Sequence, residues 1–278
     1  MFKTLALAAL VVAAPVFAAE VETQNLINTI GGVPQLLIPA AGAVQGANGT
    51  FFRSDITLIN YTTHNQRVLM RWLPNGVSGN SIAAREITIN ALTGLNSEDF
   101  VSTVLQQSGL GAILISGVTA EGVLDESARL FATSRIWSNQ PGLSSGTVSQ
   151  TFPALGTANI NSSVRQSIAG LRRDERYRLN VGVVNLDSTN EQTFQVVAGG
   201  TGQPLEVYLI TVPPRSMVQA SLPGGLLPNL QVLVQNATTT NRTNTWVAYG
   251  SSVDNVTGDS WSEIGYTAPT DQATITTQ

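Results

Sequence analysis

The amino-acid sequence predicts an all-β protein: two tandem antiparallel, immunoglobulin-like β-sandwiches behind a cleaved signal peptide. Three observations carry that expectation. Apolar residues alternate with polar ones in short runs bounded by turn formers, the pattern of half-buried strands. The phrase "FFRSDITLIN" from Phe51 is nearly rewritten 125 positions later as "RYRLNVGVVN" from Arg176. The charged fraction, 12%, is about half the usual roughly 25%, which leaves Thr, Ser, Asn and Gln to build the surface, a common feature of extracellular β-proteins.

The first element is the leader, "MFKTLALAALVVAAPVFAAE". Lys3 precedes an apolar stretch from Leu5, and Val16 and Ala18 stand at the spacing a signal peptidase reads, so cleavage is expected after Ala18. Pro15 interrupts the stretch, which falls short of the roughly 20 residues that span a bilayer. The remaining chain is longer than the usual domain of about 100 to 200 residues, so two domains are expected. The expected organisation is signal peptide 1–18, N-terminal segment 19–35, first sandwich 36–155, second sandwich 156–268 and C-terminal tail 269–278.

In "RSDITLINYTTHNQRVLMRW", Ile56 and Leu58 alternate with Thr57, residues 60–66 supply turn formers, and Val68 and Met70 resume the alternation. This reads as a β-hairpin. The second copy, "RLNVGVVNLDSTNEQTFQVV", repeats the plan with Val181 and Val183, a polar turn, then Phe194 and Val196. Asn60 and Asn185 fall at the same point, where an Asn side chain can bond the backbone and open the turn. "GAILISG" from Gly111 corresponds to "LQVLVQN" from Leu230, and "FATSRIWSN" from Phe131 to "VAYGSSVDN" from Val247. The phrases Ile38-Pro39-Ala40, Phe152-Pro153-Ala154 and Tyr266-Thr267-Ala268, 114 residues apart, bracket the copies. One short helix is expected in "SEDFVSTVLQQSG", with Ser97 as cap and Phe100, Val104 and Leu105 on its apolar side. Its counterpart "ASLPGGLLPNL" holds two Pro and two Gly and is expected to be non-helical.

Composition excludes several chemistries. Without Cys there is no disulfide framework and no thiolate metal site. Lys3 is the one Lys and leaves with the leader, which removes phosphate-loop and Schiff-base chemistry. The 13 Arg that remain are scattered against 18 acidic residues, which argues against nucleic acid as partner.

With these phrases in hand, a resemblance can be stated. "FFRSDITLIN", "TSRIWSNQPGLSSGTVSQTFPAL", "YRLNVGVVN" and "AYGSSVDNVTGD" resemble tandem modules of predicted secreted proteins from environmental bacteria, over roughly residues 36 to 268. The resemblance implies the sandwich and export, and it implies no activity.

The individual candidates are few. His64, the only His, sits in the first polar turn; a Ser-His-Asp triad would have to use it. One His cannot supply a zinc site. The carboxylate pairs Glu98-Asp99, Asp125-Glu126 and Asp174-Glu175 fall in loops or at a helix start, where solvated or capping roles are expected. Arg53 and Arg178 match between the copies and are expected to tie a strand to its neighbour. Trp72, Trp137, Trp246 and Trp261 are either core residues or platforms for sugar rings. The triplets at Asn48, Asn60, Asn161, Asn236, Asn241 and Asn255 are attributed to a Thr-rich composition. In "DNVTGDS", Asp254, Asn255 and Asp259 could crowd oxygens around calcium, but the spacing suits an ordinary hairpin with Gly258 at positive φ.

No catalytic, cofactor-binding or metal residue is therefore assigned. The sequence suggests a non-enzymatic structural or interaction protein, exported to the periplasm, cell surface or medium. The partner is expected to be an extracellular protein, a polysaccharide or a second copy, with no nucleic acid and no transmembrane segment in the mature chain. Polysaccharide or polymer binding is the alternative.

Overall fold

The computed structural model describes residues 32–46, 49–140, 142, 146–160, 165–227 and 229–267. The expected signal peptide, most of the N-terminal segment and the C-terminal tail lie outside these residues. The chain is all-β, built of antiparallel sheets that pack as sandwiches.

The first group of strands is β1 (Gln35–Gln45), β2 (Phe51–Asn60), β3 (Gln66–Pro74), β4 (Arg85–Ile89), β5 (Gly94–Ser97), β6 (Gly109–Val118), β7 (Leu130–Asn139), β8 (Thr147–Pro153) and β9 (Leu155–Gly156). They form sheet I, in the order β5-β2-β7-β8, and sheet II, in the order β4-β3-β6-β1-β9. A short pairing of Val44 with Phe52 and Gln45 with Phe51 joins the two sheets at a corner.

The second group is β10 (Arg165–Ile168), β11 (Tyr177–Asn185), β12 (Gln192–Gly199), β13 (Glu206–Val212), β14 (Ser216–Leu222), β15 (Gln231–Asn236), β16 (Trp246–Asp254), β17 (Ser260–Ile264) and β18 (Tyr266–Thr267). They form sheet III, β14-β11-β16-β17, and sheet IV, β13-β12-β15-β10-β18. Strand for strand this is the order of the first group. Each group is immunoglobulin-like in having two antiparallel sheets face to face. Its connections are nearer the jelly-roll plan, because only β3 to β4 and β7 to β8, with their second-copy counterparts, stay within one sheet.

Period-2 alternation builds each core. Ile56 and Leu58 of β2 point inward from sheet I to meet Val68 and Met70 of β3, Ile113 and Ile115 of β6 and Leu36 and Ile38 of β1. Val181, Val183, Phe194, Val196, Val232 and Val234 do the same in the second copy. Each such aliphatic side chain stabilises the fold by about 1.5 to 3 kcal/mol relative to exposure.

The register reports on the sequence correspondences. Arg53 pairs with Trp137 and Asn60 with Leu130, while Arg178 pairs with Val253 and Asn185 with Trp246, so the two "FFRSDITLIN"-like phrases occupy equivalent strands at equivalent rungs. The expected hairpins, however, are not hairpins. β2 and β3 lie in opposite sheets, as do β11 and β12, so residues 60–66 and 185–192 arch across the core. Alternation cannot separate the two cases, because the strands of an arch and of a hairpin both put every second residue inward.

The bracketing phrase also needs correction. Serine 134 pairs with Phe152 and Gly250 with Glu263, so Phe152 corresponds to Glu263 and not to Tyr266; Ile38 stands in mid-strand on β1. Leu155 pairs with Leu37 of β1, which carries the first sandwich one residue past the expected boundary, to Gly156. The helix is a single turn, α1 (Phe100–Thr103), preceded by Asp99 at φ 47. Ser97 is not its cap but the end of β5, and the turn inserts Phe100, Val101 and Leu105 into the core, with Val104 only partly buried. Its second-copy counterpart is non-helical after Leu222. Among the described residues no helix is long and apolar enough to cross a membrane.

The two sandwiches share a third apolar core. Leu37, Leu73 and Ala112 on the outer face of sheet II, with Ile136 and Phe152 beside them, pack against Val184, Met217, Val247 and Tyr249 on the outer face of sheet III. Consequently β16 is buried along its whole length. The result is a stack in the order I, II, III, IV, with II and III facing each other and the edge strand β8 of sheet I also meeting β17 of sheet III, where Ser262 Oγ donates to Thr151 O at 3.0 Å.

Candidate functional site

The polar residues nearest to a site are those at the sheet II to sheet III boundary and at the arches. At the boundary, Phe52, Leu110 and Ile136 from the first sandwich and Arg178, Gln219 and Ser251 from the second enclose a cavity of about 150 Å³. Its polar groups are largely engaged with protein. Ser251 Oγ donates to Gln150 Oε1 at 2.7 Å, Tyr249 Oη donates to Gln219 Oε1 at 3.0 Å, and Arg178 Nη1 donates to Asn255 Oδ1 at 2.9 Å. Desolvation lowers the pKa of Arg178 from the ordinary arginine value. Such a lining can hold a small polar molecule by hydrogen bonds. It lacks a base that could take a proton from Ser251, since Gln150 is an amide.

Asn60 and Asn185 are fully buried and use their side chains identically. Asn60 Nδ2 donates to the carbonyls of His64, Ile89 and Asn90, and its Oδ1 accepts from Thr62 N at 2.9 Å. Asn185 Nδ2 donates to Asn190, Val212 and Pro213, and its Oδ1 accepts from Asp187 N at 3.0 Å. Each amide therefore fastens its arch to the end of the following β-hairpin, the turn-opening role expected, extended across the sandwich. Gln66 and Gln192, buried at equivalent rungs, went unpredicted, as did Asn236, which bonds Thr243 O and Gln192 Oε1. The only sequence signal for Gln66 and Gln192 was an amide at the entry to each returning strand; Asn236 closes its strand.

His64 is exposed in the first arch. The carboxylate whose charge reaches it, Asp125, is turned toward Ser127, accepting from its N at 3.0 Å and its Oγ at 2.6 Å. A triad would need the serine on the imidazole; here it is on the carboxylate. Asp99 accepts from Ser102 Oγ, and Asp174 pairs with Arg172 at 2.6 Å while accepting from the backbone amides of Arg176 and Tyr177. Of the paired carboxylates, then, Asp99, Asp125 and Asp174 have local structural partners.

Arg53 stacks between Phe51, at 4.9 Å, and Trp137 of the neighbouring strand, at 5.3 Å. Trp137 Nε1 donates to Asp55 Oδ1 at 2.8 Å, and Asp55 pairs with Arg135 at 3.5 Å. Trp72 and Trp246 are core residues. Trp261 is half-buried, edge-on to Tyr177, with Nε1 bonded to Gly170 O. The two partly exposed indoles thus sit on different sheets and do not form a coplanar pair. Asn60 and Asn236 are buried, so neither triplet is a surface acceptor; Asn48 and Asn161 lie outside the described residues.

In the "DNVTGDS" turn, Asp254 is 3% exposed and both its oxygens have partners. Oδ2 meets Arg176 at 2.5 Å, and Oδ1 accepts from Val256 N at 2.8 Å, while Gly258 at φ 78 closes the turn onto Asp254 O. The Arg176 hydrogen bond holds the Asp254 carboxyl well below its ordinary value of 3.8, the amide bonds adding to the effect against burial. A depressed folded-state pKa adds stability that is fully present above the unfolded value. That stability disappears as pH falls below about 4 toward the folded value. Thermal unfolding is expected to show a midpoint that falls between pH 5 and pH 2 less steeply in Asp254→Asn than in the wild type. Equal slopes would assign the acid sensitivity elsewhere, and calcium against chelator is expected to leave the neutral midpoint unchanged.

An unpredicted ion pair completes the inventory. Arg173, 1% exposed, makes a two-pronged contact with Glu206 at 2.6 and 2.7 Å and donates to Gly225 O. Among the described residues no cluster of three His, Asp or Glu could hold a metal ion. Compared with family models and with curated proteins, the chain matches none.

Proposed function

We propose that this protein is an exported, non-enzymatic structural or interaction protein. The observation that carries the reading is where the buried polar groups spend their hydrogen bonds: Asn60, Asn185, Asn236 and Asp254 all bind the chain's own arches and turns. Groups used this way fix the shape of loops between rigid sheets and are spent on the fold itself. The test is the purified protein against chromogenic esters and glycosides and, by calorimetry, against neutral and acidic polysaccharides. Neither turnover nor saturable glycan binding is expected; turnover lost on Ser127→Ala or His64→Ala would sink the reading.

A second reading, polysaccharide or polymer binding, is favoured by one feature. Arg53, Trp137 and Arg135 form a cation and indole cluster on the outer face of sheet I, a surface on which a sugar ring could stack. Saturable glycan binding abolished by Trp137→Ala would replace the first reading with this one.

A further inference from the structure

The duplication has produced one interface inside the chain and left its two counterparts open at the ends of the stack. Inside, the outer face of sheet III rests on the outer face of sheet II. Sheet I is the first-copy equivalent of sheet III, and sheet IV the second-copy equivalent of sheet II. Both have outer faces that no sandwich covers. The register shows what sheet I keeps of the docking face: Thr133 and Gly94 stand where sheet III has Tyr249 and Met217, but the central apolar rung is retained. Val184 pairs with Val247 inside the interface, and the matching rung of sheet I is Ile59 paired with Phe131, both only half-buried.

Sheet IV presents the complementary feature. Val207, Val197, Leu233, Ser167 and Tyr266 are paired in sequence across its five strands, so they form one row on its outer face. Four of the five are large and apolar. Tyr266 is 68% exposed and Val207 53%, and Leu209, one rung away on the same face, is 70% exposed. The row spans four inter-strand spacings of about 4.8 Å, roughly 19 Å. At the rung equivalent to Leu209 the first copy has Glu86, paired with Arg67. Sheet II carries an exposed ion pair there, beyond the part that sheet III covers; sheet IV carries leucine.

We propose that this row is a docking surface for a second copy of the chain. The outer face of sheet IV in one molecule receives the outer face of sheet I, around Ile59 and Phe131, of the next. A contact between different faces of identical molecules does not close on itself, so the product is an open stack that continues the four-sheet order from molecule to molecule. The proposal rests on the structural reading above and names its partner.

The test is light scattering of the full protein over a concentration series. The wild type is expected to rise in mass with concentration past the dimer. Val207→Glu with Leu209→Glu, on the sheet IV face, and Phe131→Glu, on the sheet I face, are each expected to remain monomeric; Thr133→Arg on the same sheet I face is a second variant with little packing to lose. Circular dichroism confirms that each is folded. An equimolar mixture of a sheet IV variant with a sheet I variant is expected to give dimers and nothing larger, because one good face of each kind survives. Three outcomes overturn the proposal: a monomeric wild type, a wild type that stops at two, or a sheet I variant that still assembles alone. Glycan binding or turnover would instead remove the structural reading, and neither appears in a scattering series of pure protein.

Discussion

Asn185→Ala is expected to destabilise the protein by about 3 to 5 kcal/mol, since it deletes four hydrogen bonds and orphans groups that cost about 1 to 3 kcal/mol each when buried unpaired. The amide is fully buried and donates to three carbonyls, of which Val212 O is itself buried. No water-filled route is needed to see the cost: alanine leaves those carbonyls facing a methyl group. Asn185→Asp is expected to be at least as damaging, because it presents an acceptor to three acceptors. Urea unfolding measures both, and the equivalent change, Asn60→Ala, is expected to match Asn185→Ala within experimental scatter. A cost under about 1 kcal/mol at both positions would mean that the arches are held by their strands and not by the amides.

The matched asparagines show what was legible in the sequence and what was not. Period-2 alternation located Ile56, Leu58, Val68 and Met70, and their second-copy partners, on the correct faces, because burial on one face of a strand is written directly into the order of residues. Whether the strand after Asn60 returns in the same sheet or the opposite one is not so written. It depends on where the carbonyls of Ile89 and Asn90 come to rest, almost 30 residues later. The 114-residue phrase misled for a related reason. Phe152 lies just before β9 and Tyr266 within β18, each a strand that joins the opposite sheet, but the ladder matches Phe152 with Glu263, and only hydrogen-bond register distinguishes the alignments. At the boundary cavity, Arg178 and Ser251 were invisible as neighbours of Gln150, since the outer face of a lone sandwich and the inner face of a stack share one polar-apolar pattern until the second domain is placed.

Gly182→Ala is expected to cost about 3 kcal/mol, the upper end of the usual range for overpacking, because a Cβ at this position falls within the ring of Tyr249. Gly182 on β11 is directly paired with Tyr249 on β16, and the missing side chain is what lets the ring lie flat across the neighbouring strand. The ring cannot simply withdraw. Phe152 of the first sandwich packs edge-on against it at 5.3 Å, and its hydroxyl is held by Gln219. Burial also pushes the hydroxyl's pKa well above the ordinary tyrosine value, so the phenol stays neutral and adds no charge to the interface. Tyr249→Ala alone is expected to cost about 3 to 5 kcal/mol, as for other buried aromatic residues. If the glycine is required only to admit the ring, the double variant is no less stable than Tyr249→Ala, and the cycle shows a coupling of about −3 kcal/mol. Additive costs would instead mean that Gly182 is needed by the backbone of β11 itself. Urea unfolding of the four proteins decides between the two.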